Sequence, residues 1–252
     1  MYTKIKQQFS KTTTTYDSNA IAQKEIVTKL FTLITSHLRT NITNNIFEFG
    51  CGTGNLSKLL CTLSTNVITL NDLYNNNINI IKQKVYKQFE YLHGDINTEI
   101  DKLISNNKRY NLIASSSTFQ WIESPDTLLE KLNKILSTNG LLAISTFSPD
   151  NLLQIKQTLN IGLNYPSITE LNNLFSKYFN ILHIKEETIN IYFNKTIDIL
   201  KHLKLTGVNC LDNTNFNKSK LTEFNNSYKK YITIDNKYEL TYKPIYIIAT
   251  KK

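Results

Sequence analysis

The residues best suited to chemistry in this chain are three glycines that follow a strand-like apolar run. The run Asn45–Phe49 leads into Gly50, Gly52 and Gly54, and the apolar spacing of a helix begins directly afterwards. Glycine adopts positive φ and lets the backbone approach a ligand closely, while the first N–H groups of a helix are unpaired and partly positive. A strand, a glycine turn and a helix in this order are typical of a site for a nucleotide-like ligand. A tight turn without a ligand is the alternative.

Two acidic residues stand where later strands end. Val67–Asp72 is predicted as a second buried strand, and Asp72 lies 22 residues after Gly50, the distance at which a βαβ unit delivers a carboxylate to ribose hydroxyls. A third strand, Phe89–Leu92, runs into Asp95. Asp often caps the helix that follows it, so a helix cap is the alternative to ligand binding for both acids. At Asp95 a cap and a contact with the ligand can coexist.

The fourth predicted strand covers Tyr110–Ser116. The loop that follows this strand is the candidate site for a second substrate. Ligands of an open α/β sheet bind beyond the carboxyl ends of the strands, so this loop is expected to face the same crevice as the glycine turn. Its hydroxyls, the amide of Gln120 and the indole of Trp121 suit a small oxygen-bearing acceptor. Packing in the core is the alternative for Trp121, whereas a buried Gln120 amide needs hydrogen-bond partners.

Strands and helices alternate along the chain to about residue 147, which predicts an α/β fold with a parallel sheet covered by helices on both faces. A helix over Asp126–Leu136 precedes the fifth strand, Gly140–Phe147, and Asn139-Gly140 is expected to supply the left-handed turn that ends this helix. Later, a β-rich run covers Phe179–Phe193 and a last strand covers Tyr238–Thr250. These closing runs predict an antiparallel pair.

The charge balance is basic but dispersed. The 252 residues carry a formal net charge of +9, and only Arg39 and Arg109 among the 29 basic residues are arginine. Scattered lysines are typical of a solvated surface that can attract an acidic partner, and they form no clustered patch of the kind that nucleic acid favours. Cys51, Cys61 and Cys210 lack the spacing of a disulfide framework or a zinc site.

Membrane and export signals are also missing from the sequence. No apolar stretch reaches membrane-spanning length, and the N-terminal residues have no signal-peptide core. We therefore expect a cytoplasmic protein that binds neither membranes nor nucleic acid.

The glycine turn resembles motif I of the class I S-adenosylmethionine methyltransferases, because its spacing is GxGxG and Glu48 precedes the first glycine by two residues. From about residue 5 to residue 250 the chain resembles one family, the malonyl-acyl-carrier-protein O-methyltransferases of biotin synthesis. The matching segments are Phe9–Lys11 with Tyr16-Asp17 and Ala20–Gln23, EFGCGTG at 48–54, TLNDL at 69–73, GDI at 94–96, SSSTFQW at 115–121, STF at 145–147, HLKLTGVN at 202–209 and LTYKPIYIIA at 240–249. Asn71 departs from the family pattern, in which an apolar residue is common, and is therefore the alternative side chain for the ribose.

This resemblance implies a Rossmann-like class I methyltransferase fold: a seven-stranded, mostly parallel sheet with an antiparallel last strand, helices on both faces and a helical lid or insert. It implies one domain over 1–252, with an N-terminal lid at 1–40, a core that binds S-adenosylmethionine at 41–147, and acceptor-side helices and closing strands at 148–252. The implied cofactor-binding residues are Glu48, Gly50, Gly52, Gly54, Asp72, Leu73, Asp95, Ile96 and Ser115, with Asp95 and the Ile96 N–H at the adenine. The implied catalytic or positioning residues are Tyr16, Gln120, Trp121, Lys204 and Tyr242, and His202 is a further candidate.

The implied reaction is methylation of the free carboxylate of a malonyl thioester, carried on acyl-carrier protein or coenzyme A, to an ester that fatty-acid enzymes can elongate. A carboxylate is ionised near pH 7 without help, so a His/Asp dyad is not expected. Tyr16 could instead pack on the sheet, and Lys204 could be a solvated helix lysine. The alternative functions are methylation of another small acid, such as trans-aconitate, or of a quinone precursor, and a nucleic-acid-binding relative of methyltransferases. The absence of an NPPY motif after the fourth strand counts against the last of these.

Overall fold

A computed structural model of the chain describes residues 19–38, 44–64, 66–206 and 217–252. Its helices and strands alternate through the first half, as predicted. In chain order they are α1 (Ile21–His37), β1 (Ile46–Phe49), α2 (Asn55–Leu60), β2 (Ile68–Asp72), α3 (Ile78–Lys84), β3 (Phe89–His93), α4 (Ile96–Ser105), β4 (Tyr110–Ser116), α5 (Pro125–Ile135), β5 (Leu136–Phe147), α6 (Leu153–Leu159), α7 (Ile168–Ser176), β6 (Phe179–Glu186), β7 (Ile189–Phe193), α8 (Thr196–Leu205), α9 (Lys218–Tyr228), β8 (Tyr238–Tyr242) and β9 (Pro244–Lys251).

A seven-stranded sheet has the order β3-β2-β1-β4-β5-β9-β6. The strands β1 to β5 pair in parallel, and β9 pairs antiparallel with β6. The predicted mostly parallel sheet with an antiparallel last strand is therefore confirmed. The order reverses at β1, so the carboxyl ends of β1 and β4 open the crevice in which such sheets bind ligands.

The central strands are buried because they are covered on both faces. Every residue of β1 and of β2 is buried, which parallel strands require when helices lie on either side. The helix α5 shows how a covering element is specified: Pro125 occupies its first turn, where a missing N–H costs nothing, and Leu128, Leu132 and Ile135 recur on its buried face.

The chain divides into two compact units. The larger takes in Gln23–Phe147, Pro166–Glu186 and Ile245–Lys252, and so contains the seven-stranded sheet apart from Pro244. The smaller takes in the described parts of Met1–Ala22, Ser148–Tyr165 and Glu187–Pro244, including a separate antiparallel pair of β7 and β8.

Three expectations about elements need correction. The β-rich run Phe179–Phe193 is two strands, β6 and β7, in different sheets, and the last predicted strand is likewise split between β8 and β9. The helix α5 ends at Ile135, before Asn139, and Asn139 takes its positive φ of 61° inside β5. Here β4 and β5 shift register between Tyr110 and Leu112, so the left-handed residue accompanies an irregularity of the strands and does not cap the helix.

Candidate functional site

All three glycines of the turn after β1 have left-handed backbone conformations. Their φ angles are 65° at Gly50, 54° at Gly52 and 81° at Gly54, where α2 begins. A Cβ on Gly50 would lie 2.1 Å from Oγ1 of Thr118, whereas a Cβ on Gly52 would have no atom within 4 Å. Gly50 thus lets the loop after β4 pack against the turn, while Gly52 lines open space that a ligand can enter.

Asp72 stands at the end of β2, beside the turn. Its Oδ2 accepts from the N–H of Gly52 at 2.7 Å, and its Oδ1 accepts from the N–H of Tyr74 at 2.9 Å. The residue is 7% exposed, and burial raises the pKa of its carboxyl, against the opposing effect of these backbone donors. A carboxylate has about four acceptor positions, so Asp72 can fix the turn and still receive hydroxyls of a ligand. The next residue, Leu73, is half-buried.

The departure at Asn71 has a structural reason. Its Nδ2 donates to the carbonyl oxygens of Leu92 at 2.9 Å and of Gly94 at 3.0 Å, so its side chain joins β2 to the end of β3. The N–H of Cys51 in turn donates to the Asn71 carbonyl at 3.0 Å. Because the amide nitrogen of Asn71 is engaged inside the protein, Asp72 is the better placed of the two for a ribose.

Glu48 supports the turn from inside the larger unit. The side chain is 2% exposed, and its Oε2 accepts from Oγ of Ser57, in the first turn of α2, at 2.6 Å. Burial raises the pKa of the Glu48 carboxyl from 4.5 to about 8; the Ser57 hydrogen bond opposes this rise and the nearby Asp72 charge adds to it. A protonated Glu48 is therefore favoured near neutral pH, where it holds the start of α2 against β1.

Asp95 caps the helix α4. Its Oδ1 accepts from the backbone N–H of Asn97 at 2.9 Å, and Ile96, the first helical residue, is buried. The preceding Gly94 has φ 141° and donates its N–H to the Asp72 carbonyl at 3.0 Å, which ties the ends of β2 and β3 together. The structure thus contains the cap that the sequence offered as an alternative role, on the same edge of the sheet as the turn.

The loop after β4 is held against the turn by its hydroxyl groups. Ser115 is fully buried and its Oγ donates to the carbonyl of Phe49 at 2.8 Å. Thr118 Oγ1 donates to the carbonyl of Gly50 at 3.2 Å. Phe119 is buried and its ring lies 5.3 Å from that of Phe175 in α7. Phe119, an aromatic side chain that the sequence analysis did not single out, therefore anchors this loop to the core.

Gln120 and Trp121 follow in a 3-10 turn, Phe119–Trp121. Nε2 of Gln120 donates to the Ser117 carbonyl at 2.7 Å. Oε1 of Gln120 and Oγ of Ser117 are both buried, and neither has a hydrogen-bond partner among the described residues. Trp121 is half-buried. Phe119, and not Trp121, is therefore the aromatic side chain of this loop that packs fully in the core. The loop therefore keeps polar atoms whose partners must come from outside the described chain.

The remaining candidates belong to the smaller unit or lie outside the described residues. Tyr242 is fully buried in β8, and its hydroxyl lies 2.9 Å from Nε2 of His202. Burial lowers the pKa of His202 to about 4, against a backbone hydrogen bond to Asn19 that raises it, so His202 is neutral near pH 7. Lys204 is exposed on α8. Tyr16 lies outside the described residues.

Ser57 and Thr118 make hydrogen bonds that hold the candidate site together, and the sequence analysis singled out neither of them. Ser57 follows Glu48 by nine residues and Thr118 follows Gly50 by 68, so their partnerships depend on how β1, α2 and β4 are brought together. No spacing rule for a single element identifies such pairs; only the presence of a polar residue in the first turn of an apolar helix marks Ser57.

The described ranges contain neither a candidate metal site nor a helix that could span a membrane. Within residues 19–38, 44–64, 66–206 and 217–252, no three His, Cys, Asp or Glu side chains cluster in a way that could hold a metal ion. None of the helices in these same ranges has the length and apolarity needed to cross a bilayer.

Comparison with known proteins connects this geometry to a family. Residues 16–183 match the family model described as a methyltransferase domain. The malonyl-acyl-carrier-protein O-methyltransferase of Acinetobacter baylyi is 36% identical over 254 residues, which cover 98% of this chain and 96% of that protein. The protein of the same name from Bacteroides fragilis is 35% identical over 98% of this chain, which spans only 50% of its length.

Solved structures show the same fold at low sequence identity. The N-methyltransferase NodS of Bradyrhizobium japonicum, solved in complex with S-adenosyl-L-homocysteine, superposes with a TM-score of 0.53 over 90% of this chain and 86% of that one. Its sequence identity is 12%. This likeness therefore concerns the fold alone.

Proposed function

The chain belongs to the family of malonyl-acyl-carrier-protein O-methyltransferases, and from this premise we propose that it transfers the methyl group of S-adenosylmethionine to the free carboxylate of a malonyl group on acyl-carrier protein. The observation that carries this proposal is the extent of the similarity, 36% identity over 98% of this chain and 96% of the A. baylyi relative. Such similarity includes the smaller unit and is not confined to the segments around the glycine turn.

The residues around the glycine turn fit the proposed cofactor. Gly52 leaves open space where a Cβ would otherwise stand, and the Asp72 carboxylate lies beside it with acceptor positions for ribose hydroxyls. We propose that Asp95 and the Ile96 N–H face the adenine and that Gly50, Gly54 and Leu73 line the rest of the cofactor site. Glu48 and Ser115 would hold β1, α2 and β4 in place around it. When bound, S-adenosylmethionine supplies a methyl group attached to a positively charged sulfur.

The chemistry of the acceptor suits the composition of the loop. A malonyl carboxylate is ionised near pH 7, as carboxyls with a pKa of about 4 are, so methylation needs no proton to be removed from its oxygen. The segment Ser115–Trp121 accordingly contains no Asp, Glu, His, Lys or Cys. Its task would be to align the oxygen with the methyl carbon in a site that excludes water, and orientation of this kind can lower a barrier by roughly 7–11 kcal/mol.

The acceptor-side assignments are part of the proposal. Trp121 would donate its indole N–H to the malonyl carboxylate, and Tyr16 would close over the site as part of an N-terminal lid. Lys204 would meet the acidic carrier protein, and Tyr242, with its partner His202, would support the acceptor side. These roles presume that the chain works as one methyltransferase domain.

The decisive experiment incubates the protein with S-adenosylmethionine and malonyl-acyl-carrier protein and follows the carrier by mass spectrometry. The expected product has gained the mass of one CH₂ group and loses it again on ester hydrolysis. Acetyl-carrier protein, which lacks the free carboxylate, is the matched control and should remain unchanged.

Parallel reactions with malonyl-coenzyme A, trans-aconitate and a quinone precursor test the alternatives. Methylation of trans-aconitate or of the quinone precursor with none of malonyl-carrier protein would contradict the proposed substrate. Faster methylation of malonyl-coenzyme A would contradict the proposed carrier.

A further inference from the structure

We infer that Gln120 presents a hydrogen-bond acceptor to the amino-acid end of the methyl donor, where it receives the α-ammonium group, and does not donate to the malonyl carboxylate. The inference rests on the proposed function, since it presumes S-adenosylmethionine as the donor. It revises the sequence-based expectation for Gln120, which assigned this amide to the acceptor substrate.

The first step identifies which amide atom of Gln120 lacks a hydrogen bond. An amide side chain offers two N–H donors and one oxygen acceptor. In Gln120 the nitrogen is fixed by the Ser117 carbonyl at 2.7 Å, because the reversed amide would bring two oxygen atoms to that distance. The buried atom without a partner among the described residues is therefore Oε1.

The second step is what can satisfy this oxygen. A buried acceptor with no hydrogen bond is destabilising, so Oε1 of Gln120 needs a group that donates a hydrogen bond to it. An ionised carboxylate has only acceptor atoms and cannot fill this role. The neighbouring Ser117 Oγ, also buried and without a partner among the described residues, can accept from the same group.

The third step is position along the ligand. The loop that carries Gln120 packs on the glycine turn, since Oγ1 of Thr118 donates to the Gly50 carbonyl at 3.2 Å. Within the sheet order β3-β2-β1-β4, Asp95 stands after β3 and Asp72 at the end of β2. If these acids hold the adenine and the ribose, the remaining end of the donor lies at β1 and β4, beside Gln120.

The fourth step identifies the donor group. The part of S-adenosylmethionine beyond its ribose carries a sulfonium, a carboxylate and an α-ammonium group, and only the ammonium has N–H groups to donate. A hydrogen bond from a charged donor is stronger than one between neutral groups. The α-ammonium is therefore the partner that best satisfies Oε1 of Gln120.

The test compares two ligands by isothermal titration calorimetry: S-adenosylhomocysteine and its analogue in which hydrogen replaces the α-ammonium group. In the variant Gln120→Met, which keeps the side-chain length but removes the amide, the ratio of the two affinities should fall about tenfold or more. The ratio is the chosen readout because any unfolded fraction weakens both ligands equally. The milder variant Gln120→Asn, which withdraws the oxygen by one methylene, should lower the same ratio.

The matched control is Gln154→Met. Gln154 is a buried glutamine, but both of its amide atoms are engaged by Thr241, at 2.7 Å and 3.2 Å, so its loss should leave the ratio unchanged. An unchanged ratio in both Gln120 variants would overturn the inference. Failure of the wild-type protein to bind S-adenosylhomocysteine at all would instead refute the proposed function, so the two failures are distinguishable.

Discussion

Gly50 and Gly52 have similar backbone angles but different surroundings. Substitutions at the two positions should therefore affect stability and ligand binding to different extents. Both have positive φ, so an alanine at either position pays the left-handed strain of roughly 1–2 kcal/mol. At Gly50 the new Cβ would also meet Thr118 at 2.1 Å, whereas at Gly52 it would enter open space.

We predict that Gly52→Ala lowers the free energy of unfolding by about the left-handed strain alone and weakens binding of S-adenosylhomocysteine at least about tenfold. Gly50→Ala, the matched control, should lose considerably more stability because its Cβ overlaps Thr118. Chemical denaturation and calorimetric titration measure the two effects. Undiminished affinity in a folded Gly52→Ala protein would show that the open space beside this glycine is not the cofactor site.

Glu48 gives a pH dependence of stability whose sign follows from its environment. In the folded protein its pKa is raised from 4.5 to about 8, so between these values the folded state keeps a proton that the unfolded state releases. The free energy of unfolding contributed by Glu48 is therefore present below about pH 4.5 and is lost as the pH rises toward and through about 8.

We predict that wild-type stability falls relative to that of Glu48→Gln as the pH is raised from about 5 to about 8. The comparison largely cancels the titration of other groups, because these are shared by the two proteins. Denaturant unfolding at several pH values measures the difference. Parallel pH profiles would mean that Glu48 is ionised in the folded protein and that Ser57 stabilises its charged form.

At the residue scale, sequence pattern anticipates a group best where one strand end determines its place. Asp72 and the glycines were predicted because a βαβ unit fixes where its turn and its acid fall. The direction of hydrogen bonding at Gln120 was not predictable, because it depends on the Ser117 carbonyl and on the left-handed backbone of Ser117, φ 55°. The engagement of Asn71 by β3 also required knowledge of strand pairing.

Among the elements, the cap of α4 has two roles that substitution can separate. Asp95 accepts from the Asn97 N–H, and it is also proposed to accept from an adenine amino group. Asn and Asp are similarly good N-caps, whereas loss of either to Ala costs about 1 kcal/mol of stability.

We therefore predict that Asp95→Asn retains the stability of the wild-type protein but weakens S-adenosylhomocysteine binding, and that Asp95→Ala loses both. The reason for the weaker binding is the loss of the carboxylate's charge and of its second acceptor oxygen, which the adenine amino group would use. Thermal unfolding and calorimetric titration of both variants provide the measurements. Equal affinity of Asp95→Asn and wild type would restrict Asp95 to its capping role.

Element order was predictable where one helix separates two strands and was not where strands follow one another directly. The runs 179–193 and 238–250 are both rich in β-branched and aromatic residues, and each was therefore predicted as one β-rich run. The division of the second run coincides with Pro244, which has no N–H and stands at the first residue of β9. Likewise β6 and β7 separate at residues 187 and 188, where Glu187 donates its N–H to the Pro244 carbonyl.

At the scale of the whole molecule, the net charge of +9 has two explanations that sequence does not separate. Dispersed lysines can be merely a solvated surface, or part of them can form a docking surface for an acidic carrier protein. In the smaller unit, α8 buries His202 and Leu203 and leaves Lys201 and Lys204 exposed on its opposite side. Complementary charge chiefly raises the rate of association, so kinetics is the appropriate measurement.

We predict that raising the salt concentration from low to a few hundred millimolar lowers kcat/KM for malonyl-acyl-carrier protein more than for malonyl-coenzyme A. The Debye length falls below about 10 Å over this range, so attraction between the two protein surfaces is screened. Lys204→Glu should reduce kcat/KM for the carrier substrate and also reduce its salt dependence. The control Lys220→Glu makes the same charge change at an exposed position in α9, so an equal effect would point to net charge and not to a particular surface. If the two substrates respond equally to salt and Lys204→Glu behaves as wild type, the lysines of α8 do not dock the carrier.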